Sequence, residues 1–192
     1  MYSNLDANAV LIAVGATARW LDELGKIFLY TGPGPGKTTN AIGLAIRSAG
    51  HGLKAVIIFF MKGRKDVGEF RIQEKLAPFY EAHLFGSPDL IDLRNPSQSD
   101  KDMAKQGIEF ARRKLAEKPH LLVLDEVNLA VAAKLLDVNE VLDLLDAIPE
   151  ETDVVLTGRY ASSELVNRAD FVNVVADIKS PREMYSRIGI TY

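Results

Sequence analysis

A short apolar strand that runs into a glycine loop, and out of it into a helix, constrains this chain more than any other feature. Gly25-Lys26-Ile27-Phe28-Leu29-Tyr30 is short and apolar, with aromatic and β-branched residues, and reads as a strand. Thr31-Gly32-Pro33-Gly34-Pro35-Gly36-Lys37-Thr38-Thr39 follows. Behind it, Ile42, Ala45, Ile46 and Ala49 recur at helical spacing until Gly50 and Gly52 stop the helix. Strand, glycine loop and helix are the setting a phosphate-binding loop needs. The glycines let successive N–H groups turn toward one anion, and the helix N-terminus adds the positive end of its dipole. In that setting Lys37 reaches the phosphates and the Thr38 hydroxyl ligates Mg2+, so the expected ligand is a nucleoside triphosphate.

The loop departs from the standard pattern in two ways. Thr31 stands where that pattern has its first glycine, and Pro33 and Pro35 carry no N–H. The donors left by this count are those of Gly32, Gly34, Gly36, Lys37, Thr38 and Thr39. The prolines stiffen the loop and reduce the entropy lost on ordering it.

Along the rest of the chain, apolar runs alternate with helical stripes. Lys54–Met61 reads as a strand buried on both faces, Gly68–Leu76 as a short helix, and Ala82–Phe85 as a strand. Gly86–Ser99 is a polar loop, with a helix starting at Ser99 and carrying the stripe Ala104, Ile108, Ala111 and Leu115 to Pro119. His120–Asp125 is an apolar strand ending in an acid, followed at once by Glu126. Asp137 and Glu140 have capping-box spacing ahead of Val141, Leu144, Leu145 and Ile148. Asp153–Thr157, a short helix from Ser162 to Ala169, and Phe171–Val175 complete the alternation. The pattern predicts an α/β fold, a three-layer sandwich with a mostly parallel central sheet over 25–192, preceded by a helical extension over 1–24.

Composition narrows the function classes. Twenty-three Lys and Arg against 26 Asp and Glu give a net charge of −3, no electrostatic footprint for nucleic acid or an anionic membrane. With no cysteine, disulfides, Fe–S clusters and cysteine-rich zinc sites are excluded, and His51, His83 and His120 lack metal-ligand spacing. The apolar stretch Ala7–Ala18 is shorter than the roughly 20 residues a bilayer span requires, and it has no basic leader. The expected location is the cytoplasm.

In a parallel sheet, ligands collect at the carboxyl ends of the strands. The phosphate loop, Lys62-Gly63, Asp125-Glu126 and Thr157-Gly158-Arg159 all follow predicted strands and are expected to share that edge. Asp125 is a candidate magnesium-holding acid at the end of its strand. Glu126 reads either as a second metal contact or as a general base for an attacking water, and Arg159 either as a phosphate contact or as a structural ion-pair partner.

Taken in order, these segments resemble the P-loop corrinoid adenosyltransferases of the CobA/BtuR type. The likeness runs through Thr31–Thr39, Ala49-Gly50-His51-Gly52, Phe60-Met61-Lys62-Gly63, Gly68-Glu69, Leu124-Asp125-Glu126-Val127-Asn128 and Leu156-Thr157-Gly158-Arg159. It resumes at Lys179 and Gly189-Ile190-Thr191-Tyr192. The resemblance implies a RecA-like P-loop NTPase three-layer sandwich and a homodimer that moves the 5′-deoxyadenosyl group of ATP onto the reduced cobalt of a cobalamin or related corrinoid, served by a reductase partner. It implies Thr38, Asp125 and Glu126 at the metal, Lys37 and Glu126 in catalysis, and Lys62, Glu69, Phe85 and Asn128 near the corrinoid. The alternative is a RecA-like ATPase or regulatory nucleotide-binding module with Glu126 as base. In three respects this chain differs from the family pattern. Pro33 and Pro35 replace an asparagine and a lysine, Ser180 replaces a histidine, and the loop from Gly86 lacks an aromatic segment. Phe79, Tyr80, Phe85 and Trp20 are the aromatic substitutes nearest in sequence.

Overall fold

A computed structural model describes residues 25–89, 91–181 and 185–191. The helix expected over 1–24, with Trp20, lies outside the described residues. Among the described residues six strands alternate with seven helices: β1 (Ile27–Thr31), α1 (Lys37–Gly50), β2 (Ala55–Phe60), α2 (Gly68–Arg71), α3 (Gln73–Leu76), β3 (Tyr80–Phe85), α4 (Gln98–Ala116), β4 (Leu121–Asp125), α5 (Val127–Ala132), α6 (Val138–Leu145), β5 (Asp153–Thr157), α7 (Ser163–Arg168) and β6 (Phe171–Val174). They form one sheet of order β3-β2-β4-β5-β1-β6 in which every pairing is parallel. All six carboxyl ends therefore lie on one edge, with β5 between the strand of the phosphate loop and the strand of the acids.

The core is built in two halves, one on each face. On one side Ala41 and Ala45 of α1 press on Ala55, Ile57, Phe59, Leu121, Val123 and Val155. Alanines at these positions let the helix backbone approach the sheet closely. On the other side α4, α5, α6 and α7 cover Ile27, Leu29, Val56, Ile58, Phe60, Leu122, Leu124, Val154 and Leu156. Covered on both faces, β2 is buried at all six positions, which is why its sequence is apolar without alternation.

Several boundaries differ from the sequence expectation. The buried stripe of α1 is Lys37-Ala41-Ala45, and Ile46 is exposed, because the helix is phased to lay Lys37 against the loop. The helix α4 is capped at Ser97, two residues before the expected start. The Ser97 hydroxyl accepts the Asp100 N–H, and the Asp100 carboxylate accepts the Ser97 N–H. The strand β3 begins at Tyr80, and the stretch 68–76 divides into two short helices around Ile72. The sixth strand lies at the sheet edge and is exposed throughout, although Phe171 stacks on Phe28 of β1 with ring centroids 4.7 Å apart. No helix among the described residues is long and apolar enough to cross a membrane.

Candidate active site at the carboxyl edge of the sheet

The phosphate loop leaves β1 and turns at Gly32 and Gly36, whose φ values of 100° and 103° lie where a side chain is strained. A Cβ on Gly32 or Gly34 would meet the carbonyl oxygen of Val175 or Ala176 at 2.5 Å, so the segment after β6 buttresses the loop. At Gly36 a Cβ would meet nothing within 4 Å, and the loop opens there. The Gly34 N–H is spent on the Val175 carbonyl at 2.8 Å. The remaining donors are those of Gly32 and Gly36 and of the first turn of α1, where the first bond back is Asn40 N–H to Gly36 O.

The Lys37 side chain, 6% exposed, folds back and donates to Gly32 O at 2.9 Å and Gly34 O at 2.6 Å. Burial is the largest influence on its ammonium and, with the charge on Arg159, holds its pKa below the usual lysine value against the attraction of Glu126 and Asp125. Arg159, just past β5, is exposed and donates to Pro33 O at 3.3 Å, so it flanks the loop from outside. Thr31 fixes the same neighbourhood by accepting the Ala161 N–H on its hydroxyl.

The acids sit two strands away. Asp125, fully buried, accepts the Thr157 hydroxyl on Oδ1 at 2.7 Å and the Lys62 ammonium on Oδ2 at 2.7 Å. The Thr157 Oγ1 also accepts the Glu126 N–H at 2.9 Å, so one hydroxyl sets both the aspartate and the backbone after it. The next residue, Glu126, holds φ 64°, a left-handed bend that ends β4 and starts α5. The Glu126 Oε2 atom is buried with no partner among the described residues. Burial above all, and the neighbouring Asp125 carboxylate, push the Glu126 pKa above the usual carboxylate range.

Lys62 reaches this centre from the end of β2. Met61 before it takes φ 58°, and Gly63 lies tight against Gly86, Ser87 and Pro88 of the loop after β3. The Lys62 Nζ stands 3.5 Å from Thr38 Oγ1, 4.0 Å from Glu69 Oε1 and 5.2 Å from the centre of the Phe59 ring. Burial works against its charge, but the Asp125 carboxylate overcomes this and its pKa is raised. Arg64, two residues on, is paired with Asp66 at the surface.

The donor set fits a magnesium ion. The Thr38 hydroxyl, Asp125 and Glu126 offer hard oxygens suited to it, and Glu126 brings a buried oxygen without a partner among the described residues. No cluster of three or more His, Cys, Asp or Glu among the described residues makes a cage by itself, so a magnesium here would need phosphate oxygens and water to complete its shell.

Of the residues expected near a corrinoid, Lys62 and Glu69 lie at the β2 end of this edge. Asn128 is fully buried, and its amide donates to Tyr30 O and Gly158 O, tying α5 to the ends of β1 and β5. Phe85 is partly buried, 5.4 Å from the Phe110 ring and against the Cβ position of Gly107. Tyr80 is buried on the opposite sheet face and donates to Glu69 O, so Tyr80 and Phe85 do not pair. Phe79 is 39% exposed. The direct bond from Thr157 to Asp125 escaped the sequence reading. Alternation along β4 and β5, paired Leu124 to Leu156, places both side chains on the α1 face.

The family model for ATP:corrinoid adenosyltransferases (BtuR/CobO/CobP) matches residues 23–192. The chain belongs to this family. It is 32% identical over 174 residues to the corrinoid adenosyltransferase of Escherichia coli, covering 89% of this chain and 87% of that one. To the corrinoid adenosyltransferase of a Sinorhizobium species it is 33% identical over 163 residues, 83% of this chain and 76% of the other. To that of Pseudomonas aeruginosa it is 31% identical over 159 residues, 82% and 78%. Membership makes the protein a transferase of RecA-like P-loop fold. The matched range begins just before β1 and contains the whole sheet and its loaded edge.

Proposed function

We propose that the protein transfers the 5′-deoxyadenosyl group of ATP to the reduced cobalt of a corrinoid and releases triphosphate. What carries the reading is that Lys37, Thr38, Asp125 and Glu126 meet at one sheet edge in a chain of this family. In the reaction the cobalt(I) electron pair attacks the ribose C5′. A cobalt–carbon bond forms, the C5′–O bond breaks, and the leaving oxygen takes its electron pair away with the triphosphate. The chain's part is positioning and charge. The loop amides grip the triphosphate, Lys37 exchanges its bonds to Gly32 O and Gly34 O for phosphate oxygens, and Arg159 adds a cation at the loop's outer rim. Thr38, Asp125 and Glu126 would hold Mg2+, which when bound neutralises the leaving group.

The corrinoid lies over the β2–β3 end of the edge, between Glu69 and Phe85, and Asn128 acts through the backbone it ties. The working form is a cytoplasmic homodimer supplied with reduced corrinoid by a reductase. A second reading has support in Glu126, whose raised proton affinity and unpartnered oxygen suit a general base for ATP hydrolysis. Incubation with ATP, Mg2+ and chemically reduced cobalamin tests both. A corrinoid spectrum moving to the alkylated form with stoichiometric triphosphate supports the transfer. Steady ADP release without corrinoid replaces it with hydrolysis.

A further inference from the structure

Asp125 has two carboxylate oxygens, and both are taken by Thr157 and Lys62. The Lys62 ammonium also stands beside the Thr38 hydroxyl, so one side-chain cation lies between two of the three residues suited to a metal. A magnesium ion bonds oxygen at about 2.0–2.1 Å and cannot share that space with an ammonium of the same sign. Removing the ammonium with nothing in its place leaves Asp125 as a buried charge without a counter-ion. The Lys62 side chain, however, is 30% exposed on a flexible stem, while Asp125 is fully enclosed, and Glu69 stands 4.0 Å away as a second carboxylate for it. The lysine is therefore the partner able to move.

We infer that Lys62 is a tethered counter-ion that holds the Thr38–Asp125 position in the nucleotide-free protein and yields it to the divalent cation arriving with the triphosphate. The displaced ammonium turns toward Glu69 and the phosphate oxygens. Bare Mg2+ must displace a paired ammonium and offers it no new partner. Mg2+ carried on a triphosphate brings the anionic oxygens that receive it. The nucleotide-free site thus rejects the free ion and accepts the complex. This rests on the reading of ATP with Mg2+ as substrate, but its test needs neither ATP nor corrinoid.

The experiment is a Mn2+ titration of nucleotide-free protein, followed by the electron paramagnetic resonance signal of the free ion, with thermal melts in Mg2+ alongside. Lys62→Met is expected to bind Mn2+ at least tenfold more tightly than the wild type, and Mg2+ is expected to raise its melting temperature while leaving the wild type's unchanged. Adding Asp125→Asn to Lys62→Met should abolish the gain. Lys62→Gln gives the same readings if the methionine variant does not fold. Lys62 variants that bind Mn2+ no better than the wild type overturn the inference, as does a wild type that already binds it as tightly as they do. Absence of adenosyl transfer in the wild type would instead overturn the functional reading and leave this result standing.

Discussion

Two residues at the centre of the site have opposite relations to stability. Lys37 is proposed to serve the phosphates, and its present partners are carbonyls of its own loop, not the hydrophobic core. Lys37→Ala should therefore leave the fold intact while removing a charge-assisted contact to a triphosphate, which costs a few kcal/mol, roughly a hundredfold or more in affinity. Calorimetric titration with ATP measures this, and an unchanged affinity would remove the phosphate-loop assignment. Glu126 is the reverse case. Its folded pKa is raised, so the stability it confers is fully present below the ordinary carboxylate range and is lost as pH rises through the raised value. Its buried Oε2 has no partner among the described residues, so the ionised form carries a cost that the protonated form does not. Glu126→Gln keeps the shape and removes the charge. Its expected effect is a gain of about 1 kcal/mol, or about 2–4 °C in melting temperature at this size, with turnover lost. A variant that melts lower than the wild type at pH 7 would show that Glu126 is instead held by favourable partners.

At the scale of elements, legibility in the sequence followed the strength of the local signal. The β4 strand ending in Asp125, the α6 capping box at Asp137 and Glu140, and the α4 stripe are periodic or punctuated, and each stands where the pattern places it. The α1 face was misjudged by one position at Ile46, because helical spacing cannot tell which of two adjacent stripes a neighbouring loop will claim. The buttress of the phosphate loop by Val175 and Ala176 was not legible, since contacts between segments some 140 residues apart leave no local period. The same holds for the ion network that ties β3 to α4. Glu81 is met by Lys114, Lys54 and His83 at 2.7, 3.0 and 2.6 Å, and Glu117 shares both lysines. Burial opposes ionisation of Glu81, yet these hydrogen bonds hold its pKa down to about 2. A depressed carboxylate stabilises above its unfolded pKa and loses that contribution as pH falls toward the folded value. The wild type should therefore lose stability between about pH 4.5 and 2 that Glu81→Gln does not have to lose, on the order of 1–2 kcal/mol after solvent screening. Melts of both proteins across that range decide it, and parallel curves would dismiss the network as a stabiliser.

The whole molecule is lopsided. Its β3 edge is shielded by charge pairs and α4, but its β6 edge is apolar and pairs with no further strand among the described residues, with Phe171 43%, Val172 42% and Val174 69% exposed. The chain beyond β6 adds Ile178 at 92%, Ile188 at 78% and Ile190 at 68% exposure. Contiguous apolar surface of this kind marks an interaction site more often than bare surface. Edge strands left unpaired invite association as well. Residues 1–24 lead directly into β1, the neighbour of β6, and their sequence offers Leu5, Ile12, Trp20, Leu21 and Leu24. That is more apolar surface than a free segment keeps in water. The reading that follows is that the leading segment covers apolar surface of the domain or of a second subunit in the proposed dimer. Deleting the residues before Leu24 should then lower the melting temperature by several degrees and increase binding of a hydrophobic dye, or reduce the scattering mass from twice 21.1 kDa to about one chain. The proposed catalytic edge comprises residues 31–39, 62, 125–126 and 157–159, all beyond the deleted segment, so ATP binding should persist. A truncated protein with unchanged melting, dye binding and mass would show the segment to be a dispensable tail and return the question of what covers β6 to the C-terminal residues.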